Sequence, residues 1–189
     1  IAAEDLEGAI LSSVVPPLNA VITEAVRKVT GLACKLVGAG MKTGMNIRMD
    51  DPKHIGSDLI VDSVAAKANY PLPIIVIDMG TATSITALDK NGDYVGGVIH
   101  PGLRVSLNTL SGSTAQLPSI DLESPGRALA KNTIEAMQSG ILYGTAGMLD
   151  GILSRMEKEL GSKATIVATG GLARFVTPLC SHPIEFDDL

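Results

Sequence analysis

The stretch that decides the fold of this chain begins Ile74-Ile75-Val76-Ile77-Asp78-Met79-Gly80-Thr81-Ala82-Thr83 and runs on to Gly102. Its first four residues are β-branched and apolar, a run that predicts a buried strand. The strand ends on a carboxylate, and a turn of glycine and threonine follows it. We therefore expect this strand to deliver polar groups to a functional site at its end.

The composition predicts a folded protein without a polyanionic partner. Its 189 residues are 46% hydrophobic, enough for the core of one ordinary domain or two small ones. The net charge is −5 and the 15 lysines and arginines do not cluster, so we expect neither nucleic acid nor a membrane surface as a partner. Cys34 and Cys180 have no metal-binding spacing, and the acidic start of the chain does not resemble a signal peptide. These features together favour a cytoplasmic protein.

Apolar spacing and turn residues predict an alternation of strands and helices, which indicates the α/β class. An Asn91-Gly92 turn between two β-type runs predicts a hairpin directly after the strand that starts at Ile74. Asn132 and Glu135 form a capping signature for a long helix. The predicted strands cover 8–15, 33–37, 74–78, 83–88, 94–98 and 164–169, and the predicted helices cover 16–31, 57–70, 103–110, 132–162 and 172–178. Residues 111–130 are predicted to be a loop.

Glycines follow three of the predicted strands. They are Gly80, the pair Gly96-Gly97, and the pair Gly170-Gly171. A strand that ends in Thr-Gly-Gly before a helix presents backbone amides at the helix N-terminus, which suits a phosphate group. We expect the three glycine turns to be strand exits that line a nucleotide cleft.

Asp78 has two interpretations from the residues alone. A carboxylate at a strand end, a glycine that allows close backbone approach, and the hydroxyls of Thr81 and Thr83 together suit a cation with nearby phosphate oxygens. In the alternative, Asp78 only caps its own turn by accepting hydrogen bonds from amides that follow it.

Asp58 is the candidate for proton handling. The pattern predicts it in the first turn of a helix, where the helix dipole favours the ionised carboxylate. In phosphoryl transfer, an ionised carboxylate can orient the attacking hydroxyl and accept its proton late in the reaction. The alternative is a carboxylate that only stabilises the helix end.

Four glycines lie near one face of the long predicted helix. Gly140, Gly144, Gly147 and Gly151 are spaced by four, three and four residues. Glycine costs helix stability, so the stripe predicts that another backbone packs closely there, either within the fold or across a dimer. His54 and His100 each stand beside a turn, and either a pocket or a surface position is compatible with that setting.

With these residues in place, the chain resembles the type III pantothenate kinases, which belong to the superfamily of acetate kinase, sugar kinases and actin-like ATPases. The match covers the whole chain, and its motifs are specific in their order and spacing. They are Ser12-Ser13-Val14-Val15-Pro16, Lys42-Thr43-Gly44, Gly56-Ser57-Asp58, the strings 77–83 and 96–102, Leu117-Pro118, Asn132-Thr133 and Thr169-Gly170-Gly171-Leu172-Ala173.

The resemblance implies an actin-type ATPase fold of two ribonuclease-H-like lobes, with mixed sheets flanked by helices. Residues 1–71 would be the remainder of a truncated N-terminal lobe, and residues 72–189 a C-terminal lobe that is truncated at its end. The implied activity is ATP-dependent phosphorylation of pantothenate to 4′-phosphopantothenate, the first step of coenzyme A biosynthesis. The implied cofactors are Mg²⁺ and a monovalent cation, K⁺ or NH₄⁺, and the implied assembly is a cytoplasmic homodimer.

The resemblance also implies residue roles. Asp58 would be the proton acceptor, and Asp78 would bind the monovalent cation. Pantothenate would contact Gly56, Ser57, Asp58, Leu59 and Thr133, and ATP would contact Gly80, Thr81, Thr83, Gly170 and Gly171.

Two features depart from the family pattern. Leu59 stands where the family has an arginine after the aspartate, and leucine cannot hold an anion as a guanidinium does. The family's Asp-x-Gly-Asn-Thr phosphate motif would precede the residues of this chain. A non-catalytic regulatory or binding homologue, like the accessory factors described in this family, is therefore an alternative. A phosphotransferase or phosphatase of the same fold that acts on another compound is a third.

Overall fold

The computed structural model describes residues 2–38, 41–52 and 55–189. A mixed five-stranded sheet forms its centre, and a separate parallel pair of strands lies near the start of the chain. The strands are β1 (Ala9–Leu11), β2 (Cys34–Leu36), β3 (Ile74–Met79), β4 (Ala82–Leu88), β5 (Tyr94–Pro101), β6 (Thr165–Thr169) and β7 (Glu185–Phe186). The helices are α1 (Pro16–Thr30), α2 (Ser57–Asn69), α3 (Leu103–Gly112), α4 (Thr133–Leu160) and α5 (Ala173–Val176), with short 3₁₀ turns at Ala3–Asp5 and Thr177–Leu179.

Strand β3 is the middle strand of the large sheet, whose order is β5-β4-β3-β6-β7. It pairs antiparallel with β4 and parallel with β6, so Asp78 lies between Ser84 on one side and Thr169 on the other. Because parallel strands end at the same edge of a sheet, the turns after β3 and β6 lie next to each other.

The alternation of side chains along β3 divides the core into two layers. Ile75, Ile77 and Met79 face a layer that contains residues of α3, α4 and α5. Ile74 and Val76 face the opposite layer, where they pack with Ile60 and Ala66 of α2. Asp78 follows the same alternation and therefore lies on the α2 face of the sheet. The alternation of side chains along β3 is therefore enough to point the Asp78 carboxylate towards α2.

The helices begin and end at the capping residues that the sequence predicts. Gly31, with φ of 75°, ends α1 in the left-handed conformation, and Gly161 does the same for α4. The side chain of Asn132 accepts a hydrogen bond from the Glu135 amide at 2.9 Å, as the capping signature predicts. The α/β class and the mixed sheet flanked by helices are confirmed.

Several details of the prediction are wrong. The strand predicted over 8–15 covers only Ala9–Leu11, and strand β7 was not predicted. Gly96 and Gly97 lie inside β5 and do not form a strand exit, because that strand continues to Pro101. Helix α3 extends two residues into the predicted loop and ends at Gly112. The hydrogen-bonded pairing of β5 with β4 carries the glycines within the ladder, and Gly102 takes the position of the exit.

The glycine stripe of α4 is not packed against another backbone within the described part of the chain. A Cβ added at Gly140, Gly144 or Gly147 meets nothing within 4 Å, and one at Gly151 meets only the Arg155 side chain. The expectation of close packing within the fold is therefore wrong, which leaves the dimer interpretation open.

None of the described helices combines the length and apolar character that a bilayer crossing requires.

Candidate active site

The carboxylate of Asp58 lies at the N-terminal end of α2, as predicted. Its Oδ1 accepts a hydrogen bond from the Leu59 amide at 3.0 Å. The side chain also folds back over Gly56, where a Cβ at position 56 would overlap the carboxylate. Glycine at position 56 thus leaves room for this orientation of Asp58.

Ser57 attaches the start of α2 to the end of β1. Its hydroxyl donates to the Ser13 carbonyl at 3.2 Å and accepts from the Ser12 hydroxyl at 3.0 Å. Two motifs far apart in sequence, 12–16 and 56–58, are therefore joined directly. The bonds of Ser57 position the helix that carries Asp58.

Asp78 is partly buried on the face of the sheet that packs against α2. Ser84 and Thr169 are its paired neighbours on the adjoining strands, so a row of three oxygen-bearing side chains crosses three strands on one face. Both hydroxyl-bearing neighbours are buried, at 6% and 8% exposure. Burial raises the pKa of Asp78, and the charge of Asp58 raises it further.

A third carboxylate, Asp62, belongs to the same cluster. Burial raises its pKa to about 6, and the charges of Asp78 and Asp58 contribute to the rise. Asp58, Asp62 and Asp78 thus repel one another electrostatically across the space between α2 and β3. Such a cluster favours a bound cation or a shared proton.

Sequence reasoning missed Asp62, although a signal for it exists. It follows Asp58 by four residues on the predicted helix, so the two side chains share a helix face. Two like charges at that spacing disfavour a helix, which marks a position that serves something other than helix stability.

Replacing Asp62 with asparagine is expected to stabilise the protein at pH 8 and to have little effect at pH 4. Folding raises the pKa of Asp62 from 3.8 to about 6, so its stabilising effect is complete below pH 3.8 and is lost as the pH rises through 6. Asp62→Asn cannot ionise, so the variant does not lose this stability as the pH rises. After allowance for partial exposure, we expect a gain of about 1 to 2 kcal/mol in the free energy of unfolding at pH 8. Urea unfolding at both pH values measures it.

Asp150→Asn is the matched control, with the opposite sign. Burial raises the pKa of Asp150, but hydrogen bonds from Ser181 and His182 outweigh burial and lower it to about 2. Its stabilising effect is therefore present above pH 3.8 and lost as the pH falls through 2, so this variant should be less stable at pH 8. If Asp62→Asn destabilises the protein at pH 8 as Asp150→Asn does, the electrostatic description of the cluster is incorrect.

The carboxylates do not form a closed metal site. Within 2–38, 41–52 and 55–189, no group of three or more His, Cys, Asp or Glu side chains is placed to hold a metal ion together. Asp78 with the hydroxyl groups of Ser84 and Thr169 nevertheless offers hard oxygen donors of the kind that Mg²⁺ and K⁺ take. A cation here would need further oxygens, and the phosphate groups of a nucleotide supply such oxygens.

Three glycine-containing turns meet beside Asp78. The Gly102 amide donates to the Thr81 carbonyl at 3.1 Å, and a Cβ on Gly102 would overlap the carbonyl oxygens of Thr81 and Gly80. Gly170, with φ of 88°, lies against the Met79 backbone, since a Cβ there would stand 2.8 Å from the Met79 carbonyl oxygen. Gly102 thus packs against the turn 80–81, and Gly170 packs against the end of β3 directly before that turn.

The structure places one of the predicted ligand contacts, Thr83, on the other face of the sheet from this cluster. Thr83 pairs with Met79 and lies on the α4 face, opposite Asp78, with 1% of its surface exposed. Thr133 begins α4, whose buried residues pack on that same opposite face. Thr81, by contrast, is exposed in the turn directly after β3. The alternation along β4 explains the position of Thr83.

One of the two histidines that stand beside turns, His100, lies within the described residues. His100 lies in β5 and forms a hydrogen bond of 2.8 Å between its Nδ1 and the carbonyl of Pro101. His54 lies outside the described residues.

A cavity of about 230 Å³ adjoins the N-terminus of α2. Gly56 and Leu59 line it on one side, and Tyr94 and Ile99 of β5 line it on the other. Burial raises the pKa of Tyr94 to about 12, and the charge of Asp58 adds to the rise. A different cavity of about 390 Å³, between β5 and α4, is lined by α4 residues and lies away from Asp58.

Comparison with known proteins identifies the family of this chain. The model of the family "Type III pantothenate kinase" matches residues 1–155. The type III pantothenate kinase of Moorella thermoacetica is 44% identical over 175 residues, which cover 93% of this chain and 69% of that protein. The type III pantothenate kinase of Brevibacillus brevis is 45% identical over 184 residues, covering 96% and 72%.

A solved structure from Campylobacter jejuni, described as a Baf family transcriptional activator, shares the fold. It has a TM-score of 0.59 and 17% identity, and the match covers 98% of this chain and 78% of that one. The family model and the relatives establish the relationship. This chain belongs to the type III pantothenate kinase family.

Proposed function

We propose that this protein transfers the γ-phosphoryl group of ATP to the terminal hydroxyl of pantothenate and so catalyses the first step of coenzyme A biosynthesis. The assignment of roles rests on the positions of Asp58, in the first turn of α2, and of Asp78, on the face of β3 that packs against α2. The relatives named above are kinases of this class, and nothing observed favours a non-catalytic homologue.

Asp58 is proposed as the proton acceptor. The hydroxyl oxygen of the acceptor bonds to the γ-phosphorus, the bond from that phosphorus to the bridging oxygen of ADP breaks, and the hydroxyl proton passes to the carboxylate. A loose transition state releases this proton late, so a carboxylate suffices as the base. The hydrogen bond from the Leu59 amide orients Asp58, and its second oxygen is available to the acceptor hydroxyl. Gly56, Ser57, Leu59 and Thr133 remain proposed acceptor contacts.

The turns next to β3 are proposed as the phosphate end of the site. The exposed turn 80–81 and the turn Gly170-Gly171 offer backbone amides, and the Thr81 hydroxyl is exposed beside them. Asp78 would hold a cation there, the monovalent ion K⁺ or NH₄⁺, while Mg²⁺ would travel with the nucleotide. Bound cations neutralise the charge that develops on the phosphate oxygens. Thr83 is proposed to support this turn from the other face of the sheet.

Two lobes are proposed to meet at this site. Residues 1–71 would belong to the N-terminal lobe and residues 72–189 to the C-terminal lobe. In support, β1 and β2 form a sheet separate from the five-stranded one, and Ser57 bonds to Ser12 and Ser13. Asp58 would thus reach the phosphate site from the N-terminal side of the chain.

A cytoplasmic homodimer is proposed as the assembly. The stripe of Gly140, Gly144 and Gly147 is exposed, and the described residues leave the space above it open. Glycine on a helix permits a second backbone to approach closely. Light scattering of the purified full-length protein should give the mass of two chains, and the mass of one chain would contradict the dimer.

An assay of the full-length protein tests the proposed reaction. ADP release with ATP, Mg²⁺, K⁺ and pantothenate should require pantothenate, and mass spectrometry should detect 4′-phosphopantothenate. Replacement of K⁺ by Na⁺ should lower the rate if Asp78 holds the monovalent ion. ADP release that is the same with and without pantothenate would reject the proposed reaction.

A further inference from the structure

A buried carboxylate follows the hairpin turn between β4 and β5. Asp93 is 4% exposed and comes directly after Asn91-Gly92. The turn fixes its backbone, because the Asp93 amide donates to the Asp89 side chain at 3.0 Å and the Asp93 carbonyl accepts from the Asp89 amide at 3.0 Å. Burying a carboxylate is costly unless polar or charged groups satisfy its oxygens. Its partners therefore show what this carboxylate holds in place.

Two partners of the Asp93 side chain come from residues 44–48, which we call the edge segment. Asn46 donates its side-chain amide to Oδ1 of Asp93 at 2.9 Å, and the guanidinium of Arg48 forms an ion pair with Oδ2. Residues two apart lie on the same side of an extended chain, so one carboxylate can reach both. Asp93 thus holds the edge segment at two points.

The edge segment adds a short parallel pairing to the large sheet. The Tyr94 amide donates to the Asn46 carbonyl, and the Arg48 amide donates to the Tyr94 carbonyl, each at 2.8 Å. This pairing covers the start of β5, the outermost strand on that side of the sheet. At the other end of the segment, the Lys67 ammonium group donates to the Gly44 carbonyl at 2.9 Å. The edge segment is therefore attached to the sheet and to α2.

The edge segment continues into the acceptor side of the proposed site. Met49, the residue after Arg48, lines the cavity of about 230 Å³ at the N-terminus of α2. Gly56 and Leu59, two of the proposed acceptor contacts, line the same cavity, and so does Tyr94. The position of the edge segment on β5 therefore determines where the Met49 wall of this cavity lies.

We propose that Asp93 is a positioning residue for the acceptor. Through Asn46 and Arg48 it keeps the edge segment on β5, and so fixes one wall of the cavity in which pantothenate binds. Asp93 is not among the described residues that line the cavity, so its effect passes through the edge segment. The inference rests on the proposed function, since it concerns the acceptor of that reaction.

The proposal predicts an effect on acceptor binding more than on the chemical step. Helix α2 has its own attachment, because the Ser57 hydroxyl bonds to Ser12 and Ser13 at the start of the helix. Asp58 should therefore keep its place when the edge segment is released. The turns proposed to bind ATP follow β3 and β6, at the other side of β4, and should also be unaffected.

Steady-state assays of the full-length protein with ATP and pantothenate test the proposal. Asp93→Asn removes the charge with little change in shape, and we expect it to raise the KM for pantothenate by about five- to tenfold. The kcat and the KM for ATP should change by less than about twofold. Arg48→Gln should also raise the KM for pantothenate, and Arg48→Lys, which keeps the charge, should recover part of the loss. The double variant Asp93→Asn/Arg48→Gln should be no worse than Arg48→Gln alone, because both changes break the same ion pair.

Glu157→Gln is the matched control. Glu157 is 7% exposed, and like Asp93 it pairs with a largely exposed cation, in this case Lys163 after the end of α4. Glu157→Gln should lower the melting temperature to a similar extent as Asp93→Asn but leave the KM for pantothenate unchanged. Hydrogen exchange gives a readout besides activity. The amides of Arg48 and Tyr94 should exchange faster in Asp93→Asn and at the wild-type rate in Glu157→Gln.

The outcomes separate this inference from the proposed function. A folded Asp93→Asn protein with the wild-type KM for pantothenate, or with wild-type exchange at Arg48 and Tyr94, overturns the inference and keeps the proposed function. An equal rise of that KM in Glu157→Gln also overturns it, since the effect would then reflect lost stability alone. Arg48 is 59% exposed, and a wild-type KM in Arg48→Gln overturns the inference even if Asp93→Asn does not fold. A wild-type protein that does not phosphorylate pantothenate rejects both.

Discussion

Asp58→Asn is expected to lower kcat by about two to four orders of magnitude, the usual contribution of a general base. The asparagine side chain is isosteric with the carboxylate, and its oxygen can still accept the hydrogen bond from the Leu59 backbone amide. Helix α2 should therefore still begin at Ser57. The amide cannot, however, take the proton of the acceptor hydroxyl. The KM for the acceptor should change much less than kcat, because the lost interaction belongs to the transition state. Single-turnover and steady-state rates of the full-length protein measure both quantities.

Asp121→Asn is the control for this substitution. Asp121 is exposed in the segment between α3 and α4, so the variant loses one carboxylate without touching the cluster. It should have the wild-type rate. Thermal unfolding of both variants separates a loss of chemistry from a loss of structure. A folded Asp58→Asn protein with wild-type kcat would show that Asp58 is not the base.

Gly102→Ala is expected to reduce stability and to disturb the phosphate end of the site together. The new methyl group would overlap the carbonyl oxygens of Gly80 and Thr81, which are backbone atoms and cannot rotate away. Overpacking of this kind costs about 2 to 3 kcal/mol, which for a chain of this size lowers the melting temperature by roughly 5 to 10 °C. The displaced turn should also raise the KM for ATP. Calorimetry and ATP titrations of the rate measure the two effects.

Gly112→Ala supplies a matched substitution at the other end of α3. A Cβ at Gly112 meets nothing within 4 Å, and alanine is the better helix former by up to about 1 kcal/mol. This variant should be as stable as the wild type or slightly more so, with an unchanged KM for ATP. Equal melting temperatures for the two alanine variants would contradict the close packing at Gly102.

Local patterns were enough to predict much of the fold. Helix α2 and strand β3 follow from apolar spacing within a few residues, and the position of Asp58 in the first turn follows from the helix start. The Asn91-Gly92 turn likewise identifies the hairpin of β4 and β5. These features depend on neighbours in sequence, so a single sequence contains the information.

Features that depend on distant neighbours were not predicted. The raised pKa of Asp62 comes from burial and from Asp78, a residue on another element. The side on which Thr83 lies depends on its pairing with Met79, and the close approach of Gly170 to Met79 depends on the parallel pairing of β6 with β3. Strand order and register are tertiary properties, and the glycines of β5 were misplaced for the same reason.

The alternation of β3 also constrains how this chain can change in length. Inserting or deleting one residue between Ile74 and Asp78 would exchange the two faces of the strand beyond that point. The carboxylate would then enter the apolar layer beneath α4, and a large apolar side chain would take its place opposite α2. Loops on the surface tolerate such changes. This strand does not, because the number of residues before Asp78 determines on which face of the sheet its carboxylate lies.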